Sequence, residues 1–310
     1  MEQTFTQAIA AIAADNQSGA AQIAERAADL LLQHASLGQT SSPDAFRHEI
    51  LTVGWALIRA QAVMAPLVNL VNAVLWRMEQ SDSPSGQRQA VAQATGEFKR
   101  QMHLHALNVA EGALGLIGEG SRVITLSFSS TIQHALIHAQ RAGRHLEVLC
   151  AESLPGREGR ATVDLLRACG ITITLLSDQE ARQATAQADV VLVGADMLTN
   201  RGLVNKYGTF AMALAARAAG TPLYTLCGSE KFLPPGFQLL DGANTLNEIP
   251  WPHSGHEGRL GDLPYDFTPL ELIAGIVTEQ AILPVATVEA WLAATRLHPS
   301  LTQRSVAAVA

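Results

Sequence analysis

The chain of 310 residues has only three cysteines, Cys150, Cys169 and Cys227, too widely spaced for a disulfide framework or a zinc knuckle. Charge is also scarce: 16% of the residues are charged, with 21 Lys and Arg against 28 Asp and Glu. No basic run occurs, which argues against binding to nucleic acid or to an anionic membrane. No apolar run reaches the roughly 18 residues of a membrane span, and the start MEQTFTQAIA does not resemble a secretory signal. We therefore expect a cytoplasmic protein without nucleic-acid or membrane partners.

Hydrophobic residues, in contrast, make up 48% of the chain, which is enough to bury a large core or two domains. In residues 1–116 they recur at spacings of three and four, as in AAQIAERAADLLLQHA, and this periodicity predicts amphipathic helices. Ser-Ser-Pro-Asp at 41–44 is a typical helix start, whereas SDSPSG at 81–86 has the composition of a loop. We predict a helical N-terminal domain over residues 1–116.

From Gly118 onward, short β-branched runs alternate with helical stretches, as in βαβ units. The runs are RVITL, HLEVLC, ITITLL, DVVLVG and TPLYTL. Nearly continuous apolar strands are typical of a parallel sheet that is buried on both faces. The predicted fold class is therefore α/β, with a Rossmann-like parallel-sheet domain over residues 117–310. The segment 232–266, rich in Pro, Gly and His, is predicted to be a long loop.

Ligands of open parallel sheets bind beyond the carboxyl ends of the strands, so the residues at these ends are candidates for a site. Polar clusters follow four of the predicted strands, at residues 127–130, 152–155, 194–196 and 228–231. The first cluster leads into a helix, whose N-terminus suits a phosphate; simple N-capping by Ser129 or Ser130 is the alternative. Neither GxGxxG nor the Walker pattern occurs, and His134 and His138, which share a helix face, have no third ligand nearby, so we predict no cofactor and no metal ion.

The stretch VLVGADMLTNRGLVNKYGT is the most informative part of the sequence. Its apolar strand delivers Asp196 to the sheet edge, and Asn205 and Lys206 are predicted to open the next helix. A carboxylate facing a Lys–Asn pair can transfer protons while the pair holds a phosphate or an oxyanion. The alternative is structural, with Asp196 capping a turn and Lys206 neutralising its charge.

VGADMLTNRGLVNKYGTFAMALAA resembles the signature of one protein family. That family unites the alpha, beta and delta subunits of eukaryotic initiation factor 2B with methylthioribose-1-phosphate isomerase and ribose-1,5-bisphosphate isomerase. AESLPGREGR and VITLSFSST resemble two further loops of the family, and the resemblance covers roughly residues 100–295. It implies a helical N-terminal domain, a phosphosugar-type pocket, and a homodimer or a higher even oligomer.

The resemblance also assigns roles, and this chain departs from some of them. In the isomerases a cysteine of the first-strand loop and the aspartate of VGAD perform acid–base chemistry on the opened sugar. Those positions are Ser127 and Asp196 here, and a serine hydroxyl is a far weaker acid than a thiol. In a second loop of the family, an Arg and a Gln stand where this chain has Leu154 and Glu158. Arg157 or Arg160 is then a candidate to replace the positive charge of the family's Arg.

A third family loop, Arg-Gly-Ala-Pro in the thioribose isomerases, is missing. Residues 59–62, Arg-Ala-Gln-Ala, stand roughly where it would lie, and methylthioribose-1-phosphate isomerase is accordingly disfavoured. The predicted catalytic residues are Asp196 and Ser127. The predicted substrate- and phosphate-binding residues are Ser129, Ser130, Glu152, Arg157, Glu158, Asn205 and Lys206.

Three functions fit these residues. The first is a protein that binds a phosphorylated sugar or a nucleotide at the sheet edge, with weak or lost isomerase activity. The second is an active aldose–ketose isomerase of the ribose-1,5-bisphosphate isomerase type, and the third is a regulatory subunit of a translation-factor assembly. The replacement of cysteine by Ser127 favours the first, and a phosphosugar or nucleotide is the expected small-molecule partner.

Overall fold

Helices fill the N-terminal part of the chain, as their apolar spacing predicts. The computed structural model describes residues 2–237, except 39 and 41, and residues 265–302. The helices are α1 (Glu2–Ala13), α2 (Ala20–Leu37), α3 (Pro43–Ala60), α4 (Ala65–Met78) and α5 (Pro84–Ala113). None of the helices in these ranges is long and apolar enough to cross a bilayer.

Two Ser-Pro pairs start helices in this region. The Ser42 hydroxyl accepts a hydrogen bond from the Ala45 amide at 3.4 Å, which confirms the helix start predicted at 41–44. Ser83 caps α5 in the same way, so that helix begins inside the segment 81–86 that was predicted to be a loop. The hydroxyl satisfies a free amide of the first turn, and the proline that follows has its φ angle already set for a helix. Composition alone misses this cap.

A seven-stranded sheet follows in the described part of the chain. Its strands are β1 (Arg122–Leu126), β2 (Glu147–Ala151), β3 (Thr172–Leu176), β4 (Val190–Val193), β7 (Leu223–Leu226), β9 (Gly275–Val277) and β10 (Ile282–Leu283). Their order in the sheet is β10-β9-β7-β4-β1-β2-β3. All pairings are parallel except that of the edge strand β10 with β9. The predicted Rossmann-like parallel sheet is confirmed.

Helices cover both faces of this sheet. Because alternate residues of a strand point to opposite sides, each strand contributes to the cores on both faces. On one face Ile124 and Val191 pack with α8 (Asp178–Ala184), α9 (Thr209–Ala219) and α10 (Val288–Ala293). On the other face Val123 and Val190 pack with α6 (Ser130–Arg141), α7 (Gly159–Ala168) and the C-terminal end of α5. All residues of β4 are buried, as are those of β1 and β2 after the first residue. Burial on both faces explains why these central strands show little alternation of polar and apolar residues.

A second, three-stranded antiparallel sheet contains β5 (Met197–Leu198), β6 (Gly202–Lys206) and β8 (Tyr265–Pro269). The prediction that Asn205 and Lys206 open a helix is therefore wrong, because they end β6 and α9 begins only at Thr209. The pairing of β6 with β5 and β8 outweighs the helical composition that follows it. Tyr265 and Asp266, assigned to the long loop 232–266, belong to β8; residues 238–264 of that loop lie outside the described residues.

Helix α5 contributes to two hydrophobic cores. The part of α5 that runs as far as Met102, including Phe98, packs among the N-terminal helices and against Met197, Val204 and Phe267 of the small sheet. Its last turns pack against the large sheet. The division of the chain into domains at residues 116 and 117 stays a prediction, because the helix preceding that point is shared.

Candidate functional site

A cleft lies beyond the carboxyl ends of β1, β4 and β7. After β1 the sheet extends outward through β2 and β3, and the chain then returns to add β4 on the other side of β1. Such a reversal of strand order leaves a crevice between the loops of the two strands. The cleft is lined by Asn16, Gln17, Ser18, Gly19, Ala20, Ala21, Leu126, Ser127, Phe128, Ser129, Ser130, Glu158, Gly194, Ala195, Asp196, Asn205, Lys206, Lys231 and Tyr265.

The structure brings most of the predicted site residues to this cleft. They are Ser127, Ser129, Ser130, Glu158, Asp196, Asn205 and Lys206. Glu152 and Arg157 are not among the lining residues. Glu152 instead pairs with Arg160 at 2.6 Å and with Arg157 at 3.7 Å, and both arginine side chains are 56% exposed. Neither arginine therefore restores the positive charge in the cleft that the sequence suggested.

Ser127 is held in the left-handed region with a φ of 60°, which is uncommon for a residue other than glycine. Its amide donates to the Ser153 hydroxyl at 2.7 Å, and its carbonyl accepts from the Thr162 hydroxyl at 2.7 Å. Gln133 donates in turn to that threonine oxygen at 3.1 Å. Such backbone conformations persist where the surroundings over-determine them, and they occur often at ligand sites. Here the strained backbone fixes Ser127 at the carboxyl end of β1.

Asp196 is 9% exposed and is anchored by its backbone. Its amide donates to the carbonyl of Val204 at 3.0 Å, and its own carbonyl accepts from the amide of Ala65 at the start of α4, also at 3.0 Å. Burial raises the pKa of the Asp196 carboxyl to about 6, and the positive charges of Lys231 and Lys206 oppose that rise. A carboxyl whose pKa lies near neutrality can both accept and donate a proton, as general acid–base catalysis requires.

Lys206 and Asn205 stand side by side at the end of β6. Lys206 forms an ion pair with Oε1 of Glu158, and its Nζ lies 5.7 Å from the centre of the Tyr265 ring. The Asn205 amide group donates to the Thr209 hydroxyl at 3.0 Å, which donates to the carbonyl of Lys206 at 2.6 Å. These contacts fix both side chains before any ligand enters.

Lys231 also lines the cleft, although the sequence analysis did not select it as a site residue. Lys231 is only 4% exposed. Helix α4 anchors its loop, because the Asn69 side chain donates to the carbonyls of Glu230 and Phe232 at 2.7 and 2.8 Å. His105 pairs with Glu230 at 2.8 Å from the other side. Lys231 could have been selected from the sequence, because it follows a predicted strand and belongs to one of the four polar clusters.

Residues 16–21 supply another wall of the cleft, which was not predicted from the sequence. The Asp15 carboxylate accepts from the amides of Gln17 and Ser18 at 2.9 and 2.8 Å, and these bonds shape the turn. Gln61 fastens the turn by donating to the carbonyl of Asp15 at 3.0 Å. Arg59 itself does not line the cleft, and the placement of the missing family loop at residues 59–62 stays a prediction.

Ser129 and Gly194 bring α6 close to the end of β4. The Ser129 hydroxyl accepts from the Ile132 amide at 3.4 Å and so caps α6, in agreement with the capping alternative. A Cβ on Gly194 would collide with the Ser129 side chain, so this approach requires glycine. The first turn of α6 thus faces the cleft, and its free amides and the positive end of its dipole favour an anion.

The fold and the cleft together define the class of protein: an α/β chain that holds a buried carboxyl, two lysines and a helix N-terminus at the strand-order reversal of a Rossmann-like sheet. Among the described residues no group of three or more His, Cys, Asp or Glu side chains is placed to hold a metal ion. These features can hold an anionic small molecule beside an acid–base group.

Comparison with known proteins assigns the family. The model of the Initiation factor 2 subunit family matches residues 16–285, and the chain belongs to that family. It is 30% identical over 276 residues to ribose 1,5-bisphosphate isomerase of Archaeoglobus fulgidus, covering 86% of this chain and 85% of that protein. It is also 30% identical to a putative translation initiation factor eIF-2B subunit 2-like protein of Pyrococcus abyssi over 217 residues, which are 70% of this chain and 77% of that one.

A solved structure has the same fold. The translation initiation factor eIF-2B of Pyrococcus horikoshii OT3 superposes with a TM-score of 0.76 at 25% sequence identity, covering 91% of this chain and 97% of that chain. The family resemblance deduced from the VGAD and NKYGT motifs is thereby confirmed. The family contains both enzymes and translation-factor-like proteins, so membership alone does not assign an activity.

Proposed function

We propose that the chain binds a phosphorylated sugar in the cleft, with its phosphate near Lys231 and the N-terminus of α6. The observation that carries this proposal is the meeting of Lys206, Lys231 and Asp196 in one cleft. Lysine ammonium groups and free helix amides are the usual protein partners of phosphate. The relative at 30% identity is named for its action on a ribose bisphosphate, which supports a sugar of that size.

Turnover is proposed to be weak or lost because Ser127 stands at the position of the isomerases' cysteine. An aldose–ketose isomerisation moves a proton between neighbouring carbons and needs an acid and a base whose pKa values lie near the working pH. Asp196 meets this requirement with a pKa of about 6. A serine hydroxyl does not, and it can serve only as a hydrogen-bonding group unless a neighbouring base activates it.

An active isomerase is the second candidate, and two observations favour it. The chain is 30% identical to a ribose 1,5-bisphosphate isomerase over most of its length, and its Asp196 pKa is suited to proton transfer. In that case Asp196 would carry out most of the proton transfer, with Ser127 orienting a substrate oxygen. A regulatory subunit of a translation-factor assembly is the third candidate, and the relative from Pyrococcus abyssi supports it by name.

Variants at position 127 distinguish the first two candidates. Calorimetry with ribose phosphates should detect binding to the wild type, and a coupled assay should detect little aldose–ketose conversion. Ser127→Ala should weaken binding only about two- to tenfold, since one neutral hydrogen bond contributes about 0.5–1.5 kcal/mol. Ser127→Cys should raise or create activity. Substantial wild-type turnover that Ser127→Ala abolishes would establish the isomerase instead, and absence of binding to any phosphosugar would refute both.

The same proposal includes a homodimer or a higher even oligomer. Leu107 on α5 and Leu214 on α9 are 54% and 46% exposed, and such large apolar side chains are candidates for burial against a second copy. A structural neighbour of 22% identity is titled a tetrameric eIF2B-beta2-delta2 complex. Light scattering at micromolar concentration should give a multiple of the 32.9 kDa chain mass, and a value equal to the chain mass would contradict this part of the proposal.

A further inference from the structure

A buried carboxylate, that of Glu158, lies in the wall of the cleft. The residue is 4% exposed and follows the turn that leads from β2 into α7. Its Oε1 pairs with Lys206, whose side chain is itself only 13% exposed. The second oxygen, Oε2, has no hydrogen-bond partner within the described residues. An unpartnered buried oxygen of this kind is costly unless a ligand supplies a donor.

The charges around the cleft nearly cancel. Lys206 and Lys231 are the cationic side chains among the lining residues, and Glu158 and Asp196 are the anionic ones. The nearby Arg157 and Arg160 turn away toward Glu152 and lie outside the lining. Because Lys206 is already paired with Glu158, Lys231 and the N-terminus of α6 are left as the principal partners for a phosphate.

Two phosphate groups require more positive charge than this arrangement offers. A second phosphate placed within reach of Lys206 would also lie near the Glu158 carboxylate, and like charges at such distances in a buried site repel strongly. A sugar hydroxyl at the same place can instead donate a hydrogen bond to the Glu158 carboxylate, which lines the cleft. At the end of the bound sugar that lies near Glu158, the geometry therefore favours a hydroxyl group over a phosphate.

Resting on the proposed function, we infer that Glu158 is a specificity-determining residue that restricts the cleft to sugars with a single phosphate. The phosphate binds near Lys231 and the first turn of α6, and a hydroxyl of the sugar donates to Glu158. A ribose monophosphate fits this description, whereas a ribose bisphosphate is disfavoured.

Calorimetric titration of the full chain with ribose 1-phosphate, ribose 5-phosphate and ribose 1,5-bisphosphate tests the inference. The wild type should bind at least one monophosphate about tenfold or more tightly than the bisphosphate. Glu158→Gln, which keeps the shape and removes the charge, should raise bisphosphate affinity relative to that monophosphate by about tenfold or more. Glu147→Gln is the matched control: it changes the net charge equally at the opposite end of β2 and should leave the ratio unchanged.

The outcomes separate this inference from the proposed function. A wild type that binds the bisphosphate more tightly than either monophosphate overturns the inference without any variant, and leaves phosphosugar binding intact. Equal affinity ratios in the wild type and a folded Glu158→Gln overturn it as well. If the wild type binds none of the three sugars, the proposed function and the inference both fail.

Discussion

Replacing Asp196 by asparagine should stabilise the protein at neutral pH while it damages the site. Burial raises the pKa of this carboxyl from 3.8 to about 6. No hydrogen bond holds its carboxylate within the described part of the chain, and the backbone contacts that anchor the residue do not depend on the side chain. Asparagine reproduces the shape of the protonated acid and cannot ionise. The variant therefore keeps the fold and removes the cost of burying a charge.

The magnitude follows from the pKa shift. Because the carboxyl binds its proton more tightly in the folded chain, its contribution to stability is greatest below pH 3.8 and is lost as the pH rises toward 6. A rise of the pKa from 3.8 to about 6 corresponds to about 3 kcal/mol of the free energy of unfolding at pH 7. Asp196→Asn should recover up to about 3 kcal/mol at that pH, and little at about pH 4.

Thermal or urea unfolding of the wild type and Asp196→Asn between about pH 4 and pH 8 measures the difference in their free energies of unfolding. Other titrating groups, such as Asp266, affect both proteins equally and cancel in that difference. Asp164→Asn, at an exposed position of α7, is the control and should give no comparable difference. Phosphosugar binding or turnover by Asp196→Asn should change at the same time. If Asp196→Asn instead lowers stability at pH 7 by about 1 kcal/mol, as loss of a cap would, Asp196 is a structural residue and the argument is refuted.

Three further variants test contacts around the cleft. Asn69→Ala removes two hydrogen bonds to the loop of Lys231 and should lower the free energy of unfolding by about 1–3 kcal/mol in urea titrations while weakening phosphosugar binding. Burial lowers the pKa of His105, but the hydrogen bond and charge of Glu230 and the charge of Glu279 outweigh it and raise that pKa above 6.5. The wild type should therefore have a higher free energy of unfolding than His105→Gln at about pH 5, and this difference should disappear as the pH rises through the folded-state pKa of His105. A difference that does not vary with pH would contradict the prediction. A Cβ on Gly202 would collide with Phe267 and the Thr268 carbonyl, so Gly202→Ala should lower the melting temperature, at a cost of about 1–3 kcal/mol.

The fold could be predicted largely from the sequence because its strands are buried on both faces. Runs such as RVITL and DVVLVG are mostly apolar, and all residues of β4 and those of β1 after Arg122 are buried, which is what βαβ packing requires. The small sheet was not predicted. β5 is only two residues long, and β6 ends in Asn205 and Lys206, so β5 lacks the length and β6 the alternation that identifies a strand. β6 pairs with β5 on one side and on the other with β8, which is distant in sequence.

The site was predictable where residues follow strands and unpredictable where distant segments meet. Ser127 comes directly after β1, and Asp196 follows β4 after Gly194 and Ala195; a parallel sheet necessarily brings those strand ends to one edge. Glu152 also follows a strand, yet its carboxylate turns toward Arg160, and strand position does not reveal side-chain direction. The turn Asn16–Ala21 reaches the cleft through helix packing, which no local pattern encodes.

Helix α4 explains why the helical region and the sheet form one site. Its first residue, Ala65, donates to the carbonyl of Asp196, and one turn later Asn69 donates to the loop that carries Lys231. Residues four apart are separated by about one turn of a helix, so the start of α4 holds both Asp196 and the loop of Lys231. A shift of α4 would move both together. This coupling gives a physical reason for a family match that spans residues 16–285 and does not stop at the sheet.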